Sequence, residues 1–183
     1  MDPLGPQELP EKITYRVEMT DLSQLRPKLA AQPGLRLERA EIPCAELNRF
    51  LHGAVGRRWR WGGRSDWDEE RWRSHVSRQN LETWVLYVRG TPAGYFELER
   101  YPDGEAQILL LGLLPQFIGQ GLGGHLVTEA VRRAFAGGAT RVWLTTCSHD
   151  HPHALKNYQA RGFRIVDRRR ERANSPYSSR WEL

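Results

Sequence analysis

A chain of 183 residues, 39% of them apolar, suits one domain with a full-sized core, and no apolar run approaches the roughly 20 residues needed to cross a bilayer. Its two cysteines, Cys44 and Cys147, exclude a disulfide framework and form no metal-type or redox-type pair. The formal charge of +5 suits a polyanionic ligand rather than nucleic acid, because the basic residues are scattered among acids and the one dense cluster, Arg168-Arg169-Arg170-Glu171-Arg172, has no interleaved aromatics.

Met1 to Glu11 reads as a loose polar lead-in without the basic-then-apolar pattern of a signal peptide, so a cytoplasmic protein is expected. Ile13 to Met19 alternates apolar and polar residues as a half-buried strand does, and Leu35 to Ile42 does so less regularly after the turn at Gln32-Pro33-Gly34. From Ala45 to Val55 the apolar residues Leu47, Phe50, Leu51, Ala54 and Val55 share one helical face, and Gly56 is a natural stop. Trp59, Trp61, Trp67 and Trp72 then lie among arginines and acids. They either wall a pocket for a cation or apolar group, or simply pack onto the domain. Ser65 or Asp66 is placed to cap a helix starting near Trp67.

Trp84 to Val88 and Ala93 to Arg100 form a hairpin about Arg89-Gly90-Thr91-Pro92. In its second strand Tyr95, Glu97 and Glu99 share the polar face, with Gly94, Phe96 and Leu98 on the other. The strand Glu105 to Leu114 is apolar on both faces and is expected to be buried on both sides. A helix over Gly123 to Ala136 follows, then a strand from Thr140 to Thr146 that a right-handed crossover should place parallel in the same sheet. Pro152 opens a helix running to about Ala160, and Phe163 to Asp167 is a last strand that the arginine cluster would prolong. The exposed edge and the tail over Asn174 to Leu183, with Trp181, would suit a homodimer.

The organising feature is the passage from strand to helix through Gly119-Gln120-Gly121-Leu122-Gly123-Gly124. Glycines admit a ligand close to the backbone, and the free amides at a helix start favour an anion such as phosphate. Gly119, Gly121 and Gly124 satisfy G-x-G-x-x-G, but Pro115 to Ile118 separates them from the strand and no acidic residue ends the next one. Both features argue against a nicotinamide-dependent oxidoreductase, and the lack of G-K-[ST] removes a P-loop.

The stretch Leu113-Leu114-Pro115-Gln116-Phe117-Ile118-Gly119-Gln120-Gly121-Leu122-Gly123 instead resembles motif A of the GCN5-related N-acetyltransferases (GNAT), although Ile118 stands where that family has arginine or glutamine. Ala154-Leu155-Lys156-Asn157-Tyr158-Gln159-Ala160-Arg161-Gly162-Phe163 resembles its motif B, with His151 where many members carry asparagine. The resemblance implies a single α/β (α+β) domain over residues 1–183. Its sheet would be mixed, mostly antiparallel and twisted, with six to seven strands and about four helices, splayed between two central parallel strands.

It also implies direct acetyl transfer from acetyl-CoA to a primary amine of a small molecule or peptide, without metal, nucleic acid or membrane. Leu111, Gly112 and Leu113 would bond the pantetheine; Ile118, Gly119, Gln120, Gly121, Leu122, Gly123, Gly124 and Asn157 would border the cofactor; Tyr158 would be the general acid beside the sulfur. Trp59, Trp61, Trp67, Trp72 and His151 would lie on the acceptor side. Gln107 and Leu110 occupy positions where many members carry a basic glutamate, which leaves Glu97 as the candidate base. A second reading is a CoA-binding sensor or interaction module that kept the fold and lost the base. His149, His151 and His153 alternate, yet loop histidines of this kind cap turns or sit at the surface more often than they bind metal.

Overall fold

The computed structural model describes residues 11–59 and 61–171. The lead-in before Glu11 and the tail Asn174 to Leu183, with Trp181, lie outside the described residues. In chain order the elements are β1 (Lys12–Met19), β2 (Leu35–Arg39), α1 (Ala45–Gly56), α2 (Glu69–Val76), β3 (Leu81–Val88), β4 (Thr91–Arg100), β5 (Glu105–Leu113), α3 (Leu122–Ala136), β6 (Arg141–Cys147), α4 (Ala154–Ala160) and β7 (Arg164–Glu171). The strands form one sheet in the order β2-β3-β4-β5-β6-β1-β7. Every neighbouring pair is antiparallel except β5 with β6.

Strand alternation sorts the core onto two faces. Phe96 and Leu98 of β4 and Ile108 of β5 pack with Leu126, Val127, Ala130 and Val131 of α3 and with Tyr158 of α4. Tyr95 of β4 turns the other way, against Leu51 and Val55 of α1 and Val85 of β3. The crossover through α3 makes β6 parallel to β5, as expected from its length.

The parallel pair is short. Its register runs Glu105 with Arg141, Ala106 with Val142 and Gln107 with Trp143, and then ends. On the other side of β5, Leu110 opposes Glu97 and Ile108 opposes Leu98, so Leu109 is an extra residue that bulges the strand. From Ile108 onward β5 pairs with β4 alone, and the ends of β5 and β6 splay apart. Burial of β5 on both sides is therefore corrected: Leu109 to Leu113 are half-buried, because no strand covers that edge.

One boundary also moves. α2 starts at Glu69 and not near Trp67, because Asp68 is the cap, accepting from the Arg71 amide at 2.8 Å, while the Ser65 hydroxyl is spent on the Gly62 carbonyl at 2.9 Å. The arginine cluster does prolong the last strand, pairing Arg168, Arg169 and Arg170 with Tyr15, Thr14 and Ile13 of β1. It forms a charged sheet edge, a common protection against pairing with other chains.

Candidate active site

The glycine turn lies at the open end of β5. A single 3-10 turn, Pro115–Phe117, leads out of the strand, and the chain then passes through Gly119 at φ 86° and Gly121 at φ 79°. Those left-handed conformations favour glycine and turn the backbone into α3. Gly121 caps that helix without any side-chain hydrogen bond, and its first turn has no acidic residue. The leading amides of α3 are thus free of side-chain caps and carry the positive end of the helix dipole.

Two cations that the sequence motifs did not single out reinforce this charge. The segment after β1 crosses α3, held by the Lys28 amide donating to Thr128 Oγ1 at 2.9 Å and the Arg26 amide donating to the Arg161 carbonyl at 3.0 Å. A Cβ built on Gly121 would lie 3.9 Å from Lys28 Nζ, and one on Gly124 would run into the Arg161 guanidinium and the Lys28 stem. Among the described residues no carboxylate ion-pairs with Lys28 or Arg161. Asn157 also reaches this place: its Nδ2 lies 3.5 Å from a Cβ built on Gly123. Sequence reading found the glycines by their spacing; Lys28 had no local signal, since only the fold brings it here.

On the opposite face of the sheet Glu97 is fully buried and its carboxylate is saturated. Oε1 accepts from Asn48 Nδ2 at 2.8 Å, and Arg64 bonds both oxygens at 3.0 and 2.8 Å. His75 Nε2 lies 2.9 Å from Oε2, while its Nδ1 faces Arg78 NH2 at 2.9 Å. A guanidinium can only donate, so Nδ1 accepts and Nε2–H donates to Glu97. Burial alone would raise the Glu97 pKa, but Arg64 first, then His75 and Asn48, outweigh it and hold the carboxyl down at about 2. A fully bonded, weakly basic carboxylate does not suit the role of general base. The polar face that holds Glu97 is covered by α1, α2 and Arg64.

The four tryptophans do not make one wall. The Arg64 guanidinium lies 4.9 Å from the Trp67 ring centroid and 5.7 Å from that of Trp72, so the chain's own cation fills their faces. Trp72 is 2% exposed and packs with Ala45 and Val76. His52 lies between Trp61 and Trp72, and burial, then Arg64, push its pKa down to about 4, so it is neutral. Trp59 and Trp61 instead reach toward the end of β6. The Trp59 ring meets His151 edge-on at 4.8 Å, and Trp61 Nε1 donates to Asp150 Oδ1 at 3.3 Å.

Tyr158 on α4 is buried, packed edge-on against Phe163 with ring centroids 6.1 Å apart. Burial, and then the negative charge of Asp150, raise its pKa far above the ordinary tyrosine value. Leu111 and Leu113 turn to the α3 side with Ile118's glycine turn beyond them, and Gly112 turns to the α1 side. Gln107 is spoken for, accepting from the Tyr101 hydroxyl at 2.8 Å. The alternating histidines behave as turn residues: His151 Nδ1 accepts from the His153 amide at 3.1 Å.

Splay, bulge and uncapped glycine turn coincide with a family match. Residues 45–163 fit the model of the acetyltransferase (GNAT) family. The chain belongs to that family. Among solved structures, a GCN5-related N-acetyltransferase from Sphaerobacter thermophilus aligns with TM-score 0.67 at 18% identity, over 87% of this chain and 50% of its own. An aminoglycoside acetyltransferase from an uncultured soil metagenomic sample, in complex with sisomicin, gives 0.59 at 17% identity, over 69% of this chain and 86% of its own. An IAA acetyltransferase from Bacillus cereus gives 0.55 at 24% identity, over 73% of this chain and 79% of its own. The GNAT chain here spans 50 to 60% of the length of several structures it matches. No curated protein matches the sequence. At these identities the neighbours share a fold.

Proposed function

We propose that this chain is an acetyl-CoA-dependent N-acetyltransferase that moves an acetyl group directly to a primary amine of a small molecule or peptide. The observation that carries the reading is the uncapped glycine turn at the mouth of the splay, backed by Lys28 and Arg161. Acetyl-CoA supplies the activated acyl group as a thioester. Gly119 to Gly124 would bind its pyrophosphate through the α3 amides, with Lys28, Arg161 and Asn157 beside them. The unpaired edge of β5 from Leu111 to Leu113 would bond the pantetheine and orient the thioester carbonyl. Tyr158, which keeps its proton through neutral pH, would donate that proton to the departing sulfur. Trp59, Trp61 and His151 at the rim support an acceptor entry there.

An amine acceptor is in keeping with a neighbour whose own complex holds sisomicin, an aminoglycoside acetyltransferase. No helix among the described residues is long and apolar enough to cross a membrane. Titration calorimetry with acetyl-CoA tests the reading, and absence of binding at millimolar concentration would sink it. The locked Glu97 and the occupied Gln107 favour one alternative, a CoA-binding sensor. Release of free thiol in the presence of an amine panel separates the two, because a sensor binds without turnover.

Lys28→Ala is expected to weaken acetyl-CoA binding about tenfold, the scale of one charge-assisted hydrogen bond, with Lys28→Arg retaining most of the affinity. The loss should shrink as salt screens the contact. Equal affinity of the alanine variant and the unmodified protein at low salt would remove Lys28 from the site.

A further inference from the structure

Trp61 bars the splay on the face opposite the glycine turn. Its indole lies over β5, with Cη2 3.3 Å from a Cβ built on Gly112, where Val55 of α1 lies nearer still and leaves room only for glycine. Its Nε1–H reaches Asp150, three residues beyond the end of β6, at 3.3 Å. One side chain thus spans both halves of the opening.

Asp150 is fixed by bonds other than this long one. Its Oδ2 accepts from Thr146 Oγ1 at 2.7 Å and from the Cys147 amide at 2.9 Å, which fixes the carboxylate in place. Oδ1 has only the 3.3 Å indole bond, and among the described residues no cation ion-pairs with Asp150. Its charge is felt at Tyr158, which sets it on the same opening as the proposed acid. A fixed, half-buried carboxylate with one open oxygen beside aromatic faces suits an ammonium, which brings three donors and a charge.

We propose that Asp150 is the acceptor-amine residue: an alkylammonium replaces the Trp61 indole N–H on Oδ1, and Asp150 then takes the ammonium proton. Trp61 is the gate that this exchange opens. The inference rests on the acetyl-transfer reading and narrows its acceptor to amines that arrive protonated, alkylamines rather than arylamines. One proton passes from the ammonium nitrogen to Oδ1 and on to solvent, leaving the nitrogen lone pair to form the new C–N bond; as the C–S bond breaks the sulfur takes the Tyr158 proton, and the second proton, released from nitrogen as the amide forms, restores the Tyr158 hydroxyl.

The test uses the full chain saturated with CoA, which carries no acyl group, titrated with 1,4-diaminobutane by calorimetry. The diamine should bind the unmodified protein and bind Asp150→Asn at least tenfold more weakly, while acetyl-CoA affinity stays within about twofold. Trp61→Phe removes the competing N–H and keeps Asp150 in place, so diamine affinity should rise severalfold. With acetyl-CoA, thiol release driven by alkylamines should fall at least a hundredfold in Asp150→Asn, the scale of one general base. The proposal is overturned if the diamine does not bind, binds Asp150→Asn as tightly as the unmodified protein, or binds Trp61→Phe no better. Failure of acetyl-CoA itself to bind would instead remove the acetyl-transfer reading beneath it.

Discussion

Tyr158→Phe is expected to lower kcat by roughly 10²- to 10⁴-fold, the range a single positioned general acid contributes. Acetyl-CoA affinity should stay within about twofold, because the ring and its packing on Phe163 remain. Burial and the nearby Asp150 charge both disfavour tyrosinate, so the hydroxyl is fully protonated at neutral pH and able to donate. The same shift fixes a sign for stability. Tyr158 binds its proton more tightly folded than unfolded, as do buried Tyr95 and half-buried Tyr101, so their contribution is complete below about pH 10, the unfolded value. It is lost as pH rises beyond that. Steady-state thiol release and calorimetry on the one variant decide the role. A phenylalanine variant that turns over at the unmodified rate would make Tyr158 an ordinary core aromatic.

The periodicity of the chain carried the fold far, for physical reasons visible in particular elements. The alternation of β4 separated Tyr95 and Glu97 from Phe96 and Leu98, and the two cores divide at that point. The crossover length of α3 fixed the parallel pairing of β5 and β6. What alternation cannot report is where pairing stops. Ala106 and Gly112 belong to one strand, yet the first has a β6 neighbour and the second does not. Long-range charge was equally silent: Lys28 reaches the glycine turn, and Arg64 reaches Glu97, only through folding. A carboxylate on a polar strand face reads as solvated until the arginine that buries it is in place. Asp150 lay in plain view between His149 and His151, and its meaning came from Trp61, which approaches it from a connection about ninety positions earlier, the separation at which only tertiary contact speaks.

Glu97→Gln should destabilise the protein by about 3–5 kcal/mol, the cost of breaking a buried ion pair on one side. For a domain of this size that is a fall in Tm of roughly 10 °C. The amide would offer its own N–H₂ to a ring of donors, and the Arg64 guanidinium would be left in the interior with two tryptophan faces and no counter-charge. Arg64→Met should cost a comparable amount, and the double variant less than the sum, since the second change removes a charge the first had stranded. Acid should act on the same cluster. His52 and His75 are held neutral by burial, with pKa values below 6.5, so the unfolded chain takes up protons first. Stability should therefore fall as pH drops from about 6.5 towards about 4, where His52 protonates in place. Glu97 adds its share below its unfolded value of about 4.5, a loss that runs on to about 2. Thermal unfolding across this pH range, with Glu97→Gln beside the unmodified chain, separates a structural carboxylate from a catalytic one. A base would lose turnover by orders of magnitude while Tm held; a clamp lowers Tm, and any loss of turnover is regained on cooling.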